Sequence, residues 1–85
     1  MYKIMFVCHG NICRSPMAEF LFRDMVEKVG REREFEIASS AVSEEEIWNG
    51  IGNPVYPPVK KLLAKYGISC ERKRAQLLKK ADGEY

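Results

Sequence analysis

The spacing of apolar residues changes its period several times along the chain, and each change predicts an element. Residues 3–7 (Lys-Ile-Met-Phe-Val) are nearly all apolar and end in a polar turn, the pattern of a strand buried on both faces of a parallel sheet. After the segment 8–14, Ala18, Leu21, Phe22, Met25, Val26 and Val29 recur at helical spacing and predict one inward helix face. Ser15 suits the N-cap of that helix. Pro16 suits its first position, where a missing N–H has no intrahelical partner to lose. Gly30 is a natural C-terminal stop. Residues 34–39 alternate, with Phe35 and Ile37 on one side, and predict a second strand. A strand, a helix and a strand in that order imply a right-handed parallel crossover. The segment 40–58 carries Gly50, Gly52, Pro54, Pro57 and Pro58 and reads as a long loop, of the kind that is usually functional in a compact domain. A second helix is expected over about 58–66, with Val59, Leu62, Leu63 and Tyr66 inward and Gly67 closing it. A short third helix is expected to start near Ala75.

Composition narrows the class. The chain has 85 residues, which allows one domain at most. Hydrophobic residues make up 46% and charged residues 31%, which excludes a disordered tail as the main reading. A net charge of +2 gives no basic stripe for nucleic acid. The basic residues at 72–74, Lys79 and Lys80 read as a solvated surface. The apolar run after Lys3 is too short for a signal core or a membrane span, so a cytoplasmic protein with no membrane partner is expected. Three cysteines, Cys8, Cys13 and Cys70, form an odd set that favours free, reactive thiols over a disulfide framework. Their spacings fit no common zinc finger, and the only histidine, His9, adjoins Cys8, so no metal or other cofactor is expected.

The chemistry concentrates where the first strand ends. Cys8 stands there, and Arg14 follows six positions later, just before the helix. A loop wrapped between a strand end and a helix N-terminus aims several backbone N–H groups at one point, and the helix dipole adds positive potential. Gly10 lets the backbone come close to a ligand, and Arg14 offers a planar fork that matches two phosphoryl oxygens. The same field activates the thiol. A free cysteine has a pKa of about 8.5, and helix N-termini and nearby cations bring it to roughly 3.5–7.5. Backbone donors from His9, Gly10, Asn11, Ile12, Cys13, Arg14 and Ser15 are therefore expected to bind inorganic phosphate or a similar oxyanion over Cys8. His9 adjoins the nucleophile, but adjacent side chains in a loop point in different directions, so it is not expected to act as a base.

The run Val7-Cys8-His9-Gly10-Asn11-Ile12-Cys13-Arg14-Ser15-Pro16-Met17-Ala18-Glu19 resembles the signature of low-molecular-weight protein tyrosine phosphatases. The likeness continues through Ser39-Ser40-Ala41, Ile51-Gly52-Asn53-Pro54 and the Gly67 region, and covers the N-terminal half of the family domain. The resemblance implies an α/β fold with a parallel sheet and a strand-loop-helix phosphate loop, part of a three-layer α/β architecture, with residues 1–85 forming a single incomplete phosphatase domain. It implies phosphomonoester hydrolysis through a phosphocysteine, on a phosphotyrosine protein or a small aryl phosphate. Cys8 would be the nucleophile, and Arg14 would bind phosphate and stabilise the transition state. Asn11, Ser15 and Ser39 would shape the loop, with Ser15 donating to the thiolate. Cys13 would be the second loop cysteine, able to bond Cys8 under oxidation. Trp48 and Tyr56 would line the substrate rim. Glu19 matches a family glutamate behind the loop, although a helical surface acid would be equally ordinary there. Cys70 matches nothing and reads as structural.

The sequence departs from the family in one respect that matters chemically. The family's general acid lies in an Asp-Pro pair beyond the region matched here, and this sequence contains no Asp-Pro. Asp24 falls inside the first helix, and Asp82 precedes Gly83 near the end. The final residues, 81–85, read as a chain interrupted just before a strand. Impaired turnover is therefore expected. Two alternatives stay open: an arsenate reductase-like thiol enzyme, and a non-catalytic phosphate or phosphotyrosine binder. Two strands rarely hold a sheet alone, so a homodimer or other self-association is also expected.

Overall fold

A computed structural model describes residues 1–79. The expectations for Lys80, Asp82 and the segment 81–85 lie outside the described residues.

Strand β1 spans Tyr2–Cys8 and helix α1 spans Arg14–Lys28. A single 3-10 turn at Glu32–Glu34 leads into strand β2, Phe35–Ala41. β1 and β2 pair in parallel from Tyr2 opposite Phe35 to Cys8 opposite Ala41, the β-α-β unit that the hydrophobic pattern predicts. Both strands run slightly further than their apolar cores.

The long segment between β2 and the second helix is more ordered than its composition suggests. Two short strands, β3 (Ile47–Trp48) and β4 (Ile51–Gly52), form an antiparallel hairpin. Asn49 and Gly50 connect them with φ of 51° and 77°, the two left-handed residues that a tight I′ turn requires. Helix α2 then spans Pro57–Lys65. Both helices end in Schellman motifs. The N–H of Arg31 reaches the carbonyl of Val26 past Gly30, and that of Ile68 reaches the carbonyl of Leu63 past Gly67.

Burial corrects three sequence expectations. On α1, Val26 is buried, but Met25 and Val29 are 63% and 67% exposed, while Ser15, Pro16 and Glu19 are buried. The helix is covered on two sides, so no single apolar stripe describes it. Phe22 meets Phe6 and Phe35 of the sheet edge-on, at 6.0 and 5.5 Å between ring centroids. Met17, Phe20 and Leu21 pack instead against the core formed by Val55, Val59, Leu63 and Cys70. On α2 only Val59 and Leu63 are buried, and Leu62 and Tyr66 face outward. β1 is likewise not buried on both faces, since Val7 is 45% exposed.

The helix expected near Ala75 does not form among the described residues. Residues 74–78 are extended. Arg74 bridges Pro54, and Leu77 bridges the end of β2 at Ala41. The N–H of Ala41 donates to the carbonyl of Gln76 and that of Leu78 to the carbonyl of Ala41, both at 2.7 Å. Tertiary partners for the backbone override the local helix preference of Ala-Gln-Leu-Leu. Gly52 lets this strap lie close to the hairpin: a Cβ there would sit 1.8 Å from the carbonyl oxygen of Ala75. Gly52→Ala should therefore destabilise the chain by about 1–3 kcal/mol, the usual range for overpacking. Urea unfolding measures this, and an unchanged midpoint would mean that the strap does not pack there.

Candidate active site

Cys8 is the last residue of β1, and Arg14 is the first of α1. The turn between them is held from outside by its carbonyls. The carbonyl of Cys8 accepts from Val42 N–H (3.1 Å), that of His9 from Ser43 N–H (3.0 Å) and that of Ile12 from Tyr56 N–H (2.7 Å). In a planar trans peptide the N–H points opposite to the C=O. Anchoring these carbonyls outward therefore turns the N–H groups of His9, Gly10 and Cys13 toward the inside of the loop. The long segment after β2 and the start of α2 thus act as the outer wall of the turn.

The inside is organised by Asn11. It is fully buried and takes a left-handed φ of 57°, which asparagine tolerates better than most residues. Its backbone N–H donates to Cys8 Sγ at 3.3 Å. Its side-chain Nδ2 donates to Ser15 Oγ (2.8 Å) and to Ser39 Oγ (2.9 Å). Its Oδ1 accepts the N–H of Gln76 at 3.0 Å. Gly10 has no positive φ. Its missing Cβ makes room for Glu46, whose Cγ would lie 2.9 Å from it.

Ser15 is not the N-cap. Cys13 occupies that position without a side-chain capping bond, and Ser15 and Pro16 lie inside the first turn. The Ser15 hydroxyl sits 3.0 Å from Cys8 Sγ. Burial pushes the Cys8 thiol up. The Ser15 hydroxyl and the backbone groups of Ser15, Asn11 and Gly10 outweigh that, and the thiol lies below its ordinary value. Cys70 shows the opposite balance: burial raises it, Lys60 opposes and Glu71 adds to the rise. The two thiols differ in their hydrogen-bond donors.

The remaining sequence candidates are placed as follows. Arg14 is exposed and makes no hydrogen bond or ion pair with another described residue, so its guanidinium fork is available. Cys13 is partly buried against the α2 core, and all three thiols are free. His9 turns outward and meets Glu45 at 3.0 Å. Trp48 is 77% exposed on the hairpin, and Tyr56, half exposed, is tied to the loop through its backbone. Glu19 is buried: its Oε1 accepts from Ser39 Oγ at 2.5 Å, and its Oε2 accepts from Arg23 at 2.7 Å. Sequence reading missed Lys73 and Gln76, which close the site from behind the loop. Their partners lie more than thirty positions away, and no local pattern marks such contacts. Clefts of about 300 and 230 Å³ line the 67–69 turn, one against α1 and one against α2, and neither includes a loop residue.

A lowered thiol at a strand end meets loop N–H groups and the Ser15 hydroxyl, and an exposed arginine opens the helix that follows. The family model for low molecular weight phosphotyrosine protein phosphatases matches residues 3–85, and the chain belongs to that family. It is 39% identical over 82 residues to the low molecular weight protein-tyrosine-phosphatase YfkJ of Bacillus subtilis, covering 96% of this chain and 50% of that protein. It is 46% identical over 66 residues to a low molecular weight phosphotyrosine protein phosphatase of Schizosaccharomyces pombe, covering 78% of this chain and 40% of that one. The crystal structure of YfkJ superposes with a TM-score of 0.86 at 38% identity, over 99% of this chain and 50% of that one. The phosphatase SP-PTP of Streptococcus pyogenes gives 0.84 at 35% identity, over 99% and 51%. The chain spans about half the length of the curated relatives it matches.

Removing the Ser15 hydroxyl tests the electrostatics. A hydrogen bond to a charged group contributes about 1.5–3 kcal/mol, equivalent to roughly one to two pKa units. Ser15→Ala should raise the pH midpoint of Cys8 alkylation by about that much, so Cys8 reacts more slowly below the midpoint. Iodoacetamide labelling with mass mapping of the Cys8 peptide reads the shift. A midpoint equal to the wild-type value would rule out Ser15 as a donor to the thiolate.

Proposed function

We propose that this chain carries the nucleophilic and phosphate-binding half of a protein tyrosine phosphatase. The observation that supports this best is the Cys8 sulfur, held below its ordinary pKa by Ser15 and by loop N–H groups, at the other end of the loop from the exposed Arg14 that opens α1. In the reaction, the Cys8 thiolate attacks phosphorus, the bond from phosphorus to the tyrosyl oxygen breaks, and a phosphocysteine forms. Water then cleaves the S–P bond, releasing inorganic phosphate and restoring the thiolate. Loop N–H groups and the Arg14 fork bind the equatorial oxygens through both steps. Trp48 and Tyr56 form the rim that meets an aromatic leaving group.

The phenolate of tyrosine, with a pKa of about 10, leaves poorly without a proton, and a positioned acid contributes about 10²–10⁴-fold. With no Asp-Pro in the sequence, this chain should favour an aryl phosphate whose product leaves as a stable anion. The 85-residue chain should bind vanadate and hydrolyse p-nitrophenyl phosphate in preference to phosphotyrosine. Cys8→Ser should abolish turnover, because an alcohol stays protonated at neutral pH. Titration calorimetry and a phosphate-release assay check both. Binding that survives Arg14→Ala unchanged, or turnover that survives Cys8→Ser, would overturn the proposal.

Self-association belongs to the same reading. β1 pairs only with β2 among the described residues, which leaves its outer edge open beside exposed Val7 and Tyr2. A two-fold pairing of two β1 edges would give one four-stranded sheet. Sedimentation across a concentration series should show a monomer–dimer equilibrium, and a monomer at high concentration would exclude it.

A further inference from the structure

The modest net charge of +2 conceals a separation of charge along the chain. Residues 1–56 carry nine acids and six bases, whereas residues 57–79 carry seven bases and the single acid Glu71. Some of those bases are already engaged. Lys73 is mostly buried and donates to the Ser39 carbonyl, Arg74 donates to the Gly52 carbonyl at 3.0 Å, and Lys60 pairs with Glu71 at 3.4 Å. Lys61, Lys65 and Arg72 are exposed and make no hydrogen bond or ion pair with another described residue.

Two of these sit on α2. Val59 and Leu63 form the buried side of this helix, so Lys61 and Lys65 lie one turn apart on the outward side. Leu62 and Tyr66, 40% and 63% exposed, form a second pair with the same spacing beside them. The outward face therefore presents two cations and two apolar groups in a ribbon one helix wide. Arg72 follows Glu71, which contacts α2 at Lys60, and adds positive potential on that flank. The helix begins at the candidate site: Tyr56, whose N–H holds the Ile12 carbonyl, immediately precedes it. The wall on the other flank of the loop has the opposite sign. Val42 and Ser43 hold the carbonyls of Cys8 and His9, and Glu44, Glu45 and Glu46 follow directly, Glu45 against His9 and Glu46 against Gly10. The loop is thus gripped between an acidic segment and the start of a basic helix.

We propose that the outward face of α2 is a docking surface for an acidic stretch of the phosphotyrosine protein, close in sequence to the phosphotyrosine. The inference rests on the reading of the loop as a phosphotyrosine site and adds the chemistry of the flanking residues. Carboxylates of the bound segment meet Lys61 and Lys65, and its apolar side chains lie on Leu62 and Tyr66. At 1.5 Å per residue, Lys61 and Lys65 stand roughly 8 and 14 Å along the helix from Tyr56. An extended peptide spans those lengths in about two and four residues. Acids about two to five positions from the phosphotyrosine are therefore in reach. The carboxylates at 44–46 argue for a polypeptide over an anionic membrane, because a uniformly negative surface laid across the loop would meet them too. A peptide can place its acids on the α2 flank alone. Exposed ion pairs of this kind are individually weak, so the surface selects among substrates more than it tightens all of them.

The experiment titrates the full chain with synthetic peptides that carry a non-hydrolysable phosphonate in place of the tyrosine phosphate, so no turnover intervenes. One peptide has an aspartate run about two to five positions before that residue, one has it after, and one has alanine on both sides. One of the acidic peptides should bind about threefold to tenfold more tightly than the alanine peptide at low salt, and added salt should shrink the difference. Lys61→Glu combined with Lys65→Glu should reverse the preference, and the paired glutamine variants, which keep the stems, should remove it. Lys28→Glu combined with Arg33→Glu changes the net charge equally on another part of the surface and should leave the preference in place. Equal binding of all the peptides would overturn the proposal. So would equal effects of the two glutamate pairs, since net charge alone predicts that result. Binding to phosphatidylserine vesicles that depends on Lys61 and Lys65, with no preference for acidic peptides, would assign the face to lipid and overturn it as well. A vanadate titration separates the two readings. Vanadate bound without an acidic preference removes only this inference. Vanadate not bound removes the phosphate-loop reading, and amide shifts over 58–66 caused by the unphosphorylated acidic peptide then decide the docking surface by themselves: shifts that the Lys61 and Lys65 variants abolish support it, and none overturns it.

Discussion

A buried primary amide, that of Asn11, fastens three parts of the chain at one point. It has no exposure, and all of its side-chain hydrogen-bonding capacity is used internally except one lone pair. Through it the loop after β1, the first turn of α1, the end of β2 and the strap at 74–78 meet. An unsatisfied buried amide is destabilising by about 1–3 kcal/mol, so each partner is held as firmly as it holds the loop. The left-handed backbone at the same residue aims its N–H at the sulfur. One position thus couples the fold to the ionisation of the Cys8 thiol.

Polar burial here replaces the apolar seam expected on α1. The face of Ser15 and Glu19 runs against β2, where Ser39 and Ser40 are both inaccessible. Four of the buried polar residues, Asn11, Ser15, Ser39 and Glu19, serve one network, and each has its partners. Such a network is stable only when complete, because a buried polar group without a partner is costly. The apolar core is displaced to the other side of the helix, under α2, where Leu63 and Val55 are fully enclosed. The division explains why α1 has apolar residues to spare on its solvent side.

Legibility from the sequence followed locality. β1, α1 and β2 were readable because apolar spacing and the stop at Gly30 are local signals, and the strand-loop-helix placement of Cys8 and Arg14 followed from them. The Asn49–Gly50 hairpin carried a local signal as well, but the glycines and prolines around it read as loop. Ser15 was misplaced as a cap because its hydroxyl prefers the thiol and Asn11 to the helix backbone, a choice made only in three dimensions. The strap at 74–78 was assigned to a helix because its side chains favour one, while the backbone of Ala41 and Asn53 offered it partners that no window of sequence contains. Glu19 could be read either as a surface acid or as a residue behind the loop, and only its burial decides between them.

The distance along the chain between Asn11 and Gln76 also has a temporal side. Ribosomes add residues one at a time, and the loop that cradles Cys8 is fully fastened only when Gln76 arrives, 65 positions after Asn11. Closing so large a circuit comes late, because long-range contacts follow the ordering of the segment between them. Until then Cys8 is an unremarkable thiol with the reactivity of any unstructured cysteine. The nascent chain therefore emerges before the Ser15 hydroxyl and the loop N–H groups are in place to lower the Cys8 thiol, and that lowering arrives together with the walls of the loop.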